Sequence, residues 1–229
     1  MIKKALLVGI LVLLFGVPQL KAQKVYWGLV GSLNFGELKI KNAEGVYRPT
    51  SSRTLFGIGG IISFELHKNV SLHLEPMYLR KGATILATRN DPNWDLTMTF
   101  LEIPVFLKLS LGKTIRPYVL AGSTFGFLLS SKGEFTMDGE AFKGDLKDIT
   151  KSLDVGLGFG VGVSFPLGKT LVFVEGRYTL GMTDLFKAGT VVWKSGDTTI
   201  PGEGLEGNEM FTKGFQVLVG FTIPLGSRS

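Results

Sequence analysis

The stretch Asp154–Leu167, DVGLGFGVGVSFPL, decides the fold. One parity carries Val155, Leu157, Phe159, Val161, Val163 and Phe165, and the other carries Asp154, Gly156, Gly158, Gly160, Gly162 and Ser164. A side-chain period of two marks a strand with two unlike faces. The apolar face is continuous, whereas the opposite face is almost free of side chains. Glycine weakens the interior of a strand. The pattern therefore makes sense where the apolar face meets lipid and the small face looks into a crowded barrel lumen. The length also suits a tilted strand that crosses a membrane.

Seven further segments alternate in the same way. Val25–Phe35, Leu55–Leu66, Val70–Lys81, Leu96–Leu111 and Thr114–Leu129 precede the quoted stretch, and Thr170–Gly181 and Lys213–Leu225 follow it. Pro76 weakens the third, because proline removes a ladder donor. Long polar connections cover 37–52, 82–95, 130–150 and 183–211, and they alternate with short turns at 67–69, 112–113 and 168–169. Within the last long connection, Val191-Val192-Trp193 reads as a strand extended above the membrane. Three short-turn ends reuse one motif: Ser110-Leu111-Gly112, Pro166-Leu167-Gly168 and Pro224-Leu225-Gly226.

These features predict an all-β chain, an eight-stranded antiparallel up-and-down transmembrane β-barrel. Its long loops lie outside the cell, and its short turns and both termini lie in the periplasm. Eight strands leave an interior just wide enough for side chains to fill. A porin-like channel is disfavoured, and the glycines of the quoted stretch make room for Phe106, Tyr118 and Phe173. Aromatic residues of the lipid parity fall into two groups, as interfacial belts require. Trp27, Phe64, Phe165 and Phe221 lie near the turns, and Phe35, Phe56, Tyr78, Phe127, Tyr178 and Phe215 near the loops. A soluble lipocalin-like cup would invert the two faces and leaves the glycine-lined face unexplained.

The N-terminus sets the compartment. Lys3 and Lys4 precede an apolar run from Ala5 to Val17 that breaks at Pro18, with Ala22 just before Gln23. Residues 1–22 therefore read as a secretory signal peptide and 23–229 as the barrel domain. Without Lys3, Lys4 and Lys21 the balance is 22 basic against 19 acidic residues, so the net charge falls from +6 to +3. That balance points to no nucleic-acid partner. The chain has no cysteine, hence no disulfide framework and no thiolate metal site.

The polar residues on the inward parity are the chemistry-bearing set. Ser71, His73, Glu75 and Lys81 share the inward face of the third strand. Across all strands the strongest charged set is Glu75, Glu102, Lys108, Arg116, Asp154, Glu175 and Arg177. Ionised groups in a narrow interior need partners, and four carboxylates with three cations can pair across strands. The expected role is a structural network that fills the lumen and fixes register, with a gated proton or ion path as the sharper alternative.

No catalytic, cofactor-binding or metal site is expected. His73 lies near a short turn, with no serine partner assignable from spacing. The long loops hold no histidine, and their acids, Asp91, Asp95, Glu134, Asp138, Asp184 and Asp197, show no recognisable pairing. Gly112-Lys113-Thr114 and Gly168-Lys169-Thr170 mimic the tail of a phosphate loop, but Leu107 and Val163 stand where its first glycine belongs.

Three segments carry a family resemblance: Phe100-Leu101-Glu102-Ile103-Pro104-Val105-Phe106-Leu107-Lys108, then Arg116-Pro117-Tyr118-Val119-Leu120-Ala121-Gly122, then Val174-Glu175-Gly176-Arg177-Tyr178 with Gly181-Met182-Thr183. Together they resemble the PorT-like outer-membrane β-barrel family across nearly the whole mature chain. The resemblance implies an eight-stranded barrel of the OmpA/OmpX kind in a Gram-negative outer membrane. It also implies a non-enzymatic component of the cell envelope or of a PorT-like protein secretion system. Its partners would be outer-membrane lipid and envelope or secretion-system proteins, met through loops or periplasmic turns. The alternative is an enzyme or ligand-binding barrel that acts through its extracellular loops. The family's usual C-terminal aromatic is displaced here, since the chain runs on from Phe221 to Ser229.

Overall fold

A computed structural model of the chain describes residues 24–87, 92–204 and 208–225. The expected signal peptide, Asp91 and the last glycine of the turn motif, Gly226, lie outside the described residues. The strands are β1 (Lys24–Lys41), β2 (Tyr47–Arg48), β3 (Thr50–His67), β4 (Val70–Leu74), β5 (Met77–Ile85), β6 (Trp94–Ser110) and β7 (Arg116–Met137). They continue with β8 (Glu140–Asp145), β9 (Leu153–Leu167), β10 (Thr170–Gly181), β11 (Gly189–Ser195), β12 (Thr198–Gly204) and β13 (Glu209–Leu225). One short 3-10 turn occupies Lys147–Ile149.

Eight walls form a closed antiparallel ring. β1 pairs with β3, β3 with β4 and β5, and both of these with β6. The order then runs β6, β7, β9, β10, β13. β13 returns to β1 along a ladder from Val25↔Leu225 to Lys41↔Glu209. The third wall is split into β4 and β5 at Glu75-Pro76, as the proline requires. The ladder survives the break because Gly60 N–H donates to Pro76 O and Glu75 N–H donates to Pro104 O.

The alternation sets the two faces. On β9, Asp154, Gly156, Gly158, Gly160 and Ser164 are buried while Leu157, Phe159, Val161 and Phe165 are exposed. Val161 is 63% exposed and Ile58 62%. A wall of such residues around the whole circumference is untenable in water and suits lipid. The inward glycines leave the room that the large lumen residues need. A Cβ on Gly158 would lie 2.7 Å from the Phe106 ring, and one on Gly162 would collide with Tyr118. Phe173 is accommodated differently from the expectation: it is paired with Ser164 of β9, and the glycine that makes room for its ring is Gly220 of β13, where a Cβ would lie 2.6 Å from it.

The strands are longer than the alternation alone marks out. β1 runs to Lys41, β7 to Met137, and β13 starts at Glu209. The expected loops at 37–52, 130–150 and 183–211 are therefore largely strand, with β7–β8 and β11–β12 as hairpins and β11 bridging to β8. Their polar, glycine-containing sequence reflects position above the apolar band, where the outward face no longer meets lipid while residues such as Leu38, Ile40 and Val191 still turn inward. The row Phe159, Tyr178, Phe215, Phe35 lies in register across four adjacent walls, and Phe35 and Phe215 stack at 6.4 Å. At the other end Gly112 and Gly168 sit at φ +86° and +62°, the left-handed turn geometry that their Gly-Lys dipeptides supply.

Candidate functional site

The inward residues of β6 order the lumen from the long-loop end to the short-turn end as Phe100, Glu102, Pro104, Phe106 and Lys108. Two ionic clusters hang on this axis. In the first, Lys81 Nζ from β5 pairs with Glu102 of β6 and lies 3.1 Å from Asp154 Oδ2 of β9. Thr212 of β13 donates to the same Asp154 oxygen at 2.9 Å. In the second, Arg177 of β10 reaches Glu75 Oε2 at 2.7 Å and Glu175 Oε1 at 2.6 Å. The Tyr118 hydroxyl donates to Glu175 Oε2 at 3.0 Å, and the Arg177 guanidinium lies 4.4 Å from the centre of the Phe106 ring.

Five of the seven residues singled out by parity thus meet: Glu102 and Asp154 in one cluster, Glu75, Glu175 and Arg177 in the other. The cation of the first cluster is Lys81. It lies on the inward parity of its strand but outside the set of seven, because pairing across the lumen depends on register that one sequence does not display. The remaining two cations differ. Lys108 stands over the Tyr118 ring, 3.6 Å from its centre. Arg116 is half-buried at the short-turn end, and its buried Nε has no hydrogen-bond partner among the described residues.

Around these clusters Val30, Ile61, Met77, Phe106, Tyr118, Leu120, Phe173 and Leu218 form an apolar filling. Arg177 and Gln216 are each 1% exposed. Small recesses remain at the two ends and share no lining residue. The one at the short-turn end measures about 60 Å³ and is bordered by Ser63, His73, Lys108 and Arg116.

His73 does find a serine there. Ser63 Oγ lies 3.0 Å from His73 Nε2, a partner that came through the β3–β4 pairing Ser63↔His73 and had no signature in spacing. Glu75 Oε1 lies 3.7 Å from His73 Nδ1, too far for a hydrogen bond, and Arg177 holds the same carboxylate. The recess is also far smaller than ordinary substrate pockets, ~300–1,000 Å³. The arrangement satisfies a buried imidazole and leaves no space for an acyl group. Among the described residues no group of three His, Asp or Glu is placed to hold a metal ion.

The long-loop end has its own core, which the alternation did not expose. Leu38, Ile40, Ile85, Leu96, Phe100, Leu128, Leu146, Leu185, Val191 and Met210 pack together inside the raised strands, with Trp94, Ile149, Phe186 and Trp193 against them. Three loop acids are engaged with cations: Asp95 with Arg53 at 3.2 Å, Glu134 with Lys143 at 3.6 Å and Asp184 with Lys151 at 2.6 Å. Asp184 also accepts from the backbone N–H of Phe186 and of Met210. Burial pushes its carboxyl up, but the Lys151 ammonium and these two amides outweigh that and hold it below the usual aspartate range. Gly133, Gly144 and Gly202 leave room for the Trp193 ring.

A closed ring of eight walls, apolar outside and filled with paired charges inside, defines an outer-membrane barrel. The sequence profile of the outer membrane protein beta-barrel domain matches residues 19–187, and the chain belongs to that family. Among solved structures it is similar to the outer membrane protein OprG from Pseudomonas aeruginosa, at 12% identity and a TM-score of 0.50 over 89% of this chain and 95% of the other. It is also similar to a major outer membrane protein from Thermus thermophilus, at 10% identity and a TM-score of 0.51 over 88% and 99%. At such identities the likeness concerns the fold alone. No curated protein matches the chain.

Proposed function

We propose that the protein is a non-enzymatic barrel of a Gram-negative outer membrane, plugged by its own side chains, whose working surface is the folded assembly at the long-loop end. In this reading the long loops face outward, the short turns and both termini face the periplasm, and residues 1–22 are a removed signal peptide. The barrel serves an envelope or secretion complex of the PorT-like kind by holding a partner at its surface. The observation that carries the reading is the buried lumen, with Arg177, Phe106 and Leu218 at 1% exposure or less across its middle. A blocked lumen leaves the ends as the places where the molecule acts. The raised strands and their ion-paired hairpins give one end a shaped, ordered surface.

Two measurements test this. Purified barrel in liposomes should give no swelling with small sugars, and clear solute flux would overturn the plugged-barrel reading. A photo-crosslinker at Tyr47, 54% exposed at the long-loop end, should trap one discrete envelope protein in living cells. The same group at the lipid-facing Leu107 should trap none. Equal or absent capture at both would overturn the role of the loop assembly.

A further inference from the structure

The apolar core at the long-loop end is not filled. It borders a recess of about 310 Å³, partly open to the outside and lined by Ile40, Ile85, Trp94, Ile149, Phe186 and Trp193, with Arg48 and Asn208 on its wall. Protein interiors tolerate few voids larger than a water molecule. Apolar cavities of even half this size take up small aromatic guests. A guest seated in this recess would gain dispersion contacts along the apolar part of its lining. It also lies at the lower end of the size range of small-molecule sites, ~300–1,000 Å³.

The lining has direction as well as volume. Trp94 and Trp193 meet edge-to-face, with centroids 6.1 Å apart at 77°, and Phe135 meets Trp193 in the same way at 5.0 Å, so the wall is an aromatic one. Thr150 borders the space, but its hydroxyl is already bound to Ser131 and to Leu146 O. Asn208 Oδ1 is buried and has no hydrogen-bond partner among the described residues. A buried acceptor of this kind is costly unless something donates to it. We infer that this recess is a binding site for a small, neutral, planar aromatic molecule of about the size of two fused rings, which donates one N–H or O–H to Asn208 Oδ1.

The inference deepens the loop-end reading above and rests on it for the side from which the ligand arrives. The binding itself is independent of any protein partner. Indole is the probe, and 1-methylindole is the same shape without the donor. The full barrel in lipid nanodiscs is titrated with each by calorimetry, with empty nanodiscs as the blank. Wild type should bind indole at a single saturable site and 1-methylindole at least fivefold more weakly. Ile149→Trp, which fills the space from its wall, should weaken indole at least tenfold. Asn208→Leu should erase the preference between the two probes. Far-UV circular dichroism and heat-shifted gel mobility establish that each variant has folded. Heat indistinguishable from empty nanodiscs, or indole binding unaltered in folded Ile149→Trp, would overturn the site. Equal affinity of the wild type for both probes would overturn the role of Asn208. Crosslinking from Tyr47 reports on the loop assembly's protein partner separately, so the two readings fail on different readouts.

Discussion

At the residue scale the lumen charges are the most exacting feature. Arg177 is held by Glu75 and Glu175 with 1% of its surface exposed. Removing one member of a buried ionic cluster leaves the others charged and unpaired, at a cost of about 3–5 kcal/mol. Arg177→Ala should therefore lower barrel stability by that order, because it strands Glu75 and Glu175, whereas Glu102→Ala should cost less, because Lys81 keeps Asp154 at 3.1 Å. Lys108→Met should cost much less, because Lys108 sits over the Tyr118 ring and, among the described residues, in no ion pair. Urea unfolding in lipid vesicles, followed by tryptophan emission, measures all three. Melting of Arg177→Ala and Glu102→Ala identical to wild type would remove the network's structural role. Parity alone named five of the six charges in the two clusters, because period-two alternation tells which face a residue takes. It could not tell which charges share a level. That depends on stagger between walls, so Lys81 stayed outside the set and Lys108 and Arg116 entered it.

At the element scale the lipid-crossing segments were legible because lipid imposes one strict rule on each face. Thr170–Gly181 is β10 to the residue, and Asp154–Leu167 is β9 less its first residue. Above the aromatic row that rule lapses, and the same strands continue in polar sequence that reads as loop. β1 gains six residues beyond Phe35 in this way, Gly36 to Lys41. The hairpins there are tied by side chains, and Asp184 is the chief tie, through Lys151 and the amides of Phe186 and Met210. Its folded-state carboxyl lies below the ordinary value of 3.8. The stabilisation is therefore complete above that value and lost as the pH falls below it, through the depressed folded-state value. The Phe186 and Met210 amides should be strongly protected relative to their intrinsic exchange rates at neutral pH and lose that protection on acidification in that window. Asp184→Asn, which keeps an acceptor but loses the charge, should exchange faster at neutral pH and show a weaker acid transition. An acid transition unchanged by the substitution would assign it elsewhere.

At the scale of the whole molecule the architecture was legible in the sequence and the two ends were not. Strand count and the alternation of long and short connections settle the ring, since each follows from local patterning. The apolar core at the long-loop end draws on residues as distant as Leu38 and Met210. Their common location emerges only once the ring has closed. Closure itself has a consequence for how the protein is made. The first and last strands are zipped together over the whole ladder from Val25↔Leu225 to Lys41↔Glu209. Until the final strand has been synthesised, β1 and β10 each present an open row of amides and carbonyls, which lipid does not tolerate and which invites pairing between chains. Closure of the ring must therefore wait for β13. A chain ending after residue 208 should never acquire heat-shifted gel mobility and should collect as aggregates or degradation products. A separately expressed peptide spanning 209–225 should rescue it only if it is present before those open edges find each other. Membrane entry by this protein should then be an all-or-none event, with open-edged forms at risk for as long as β13 is missing.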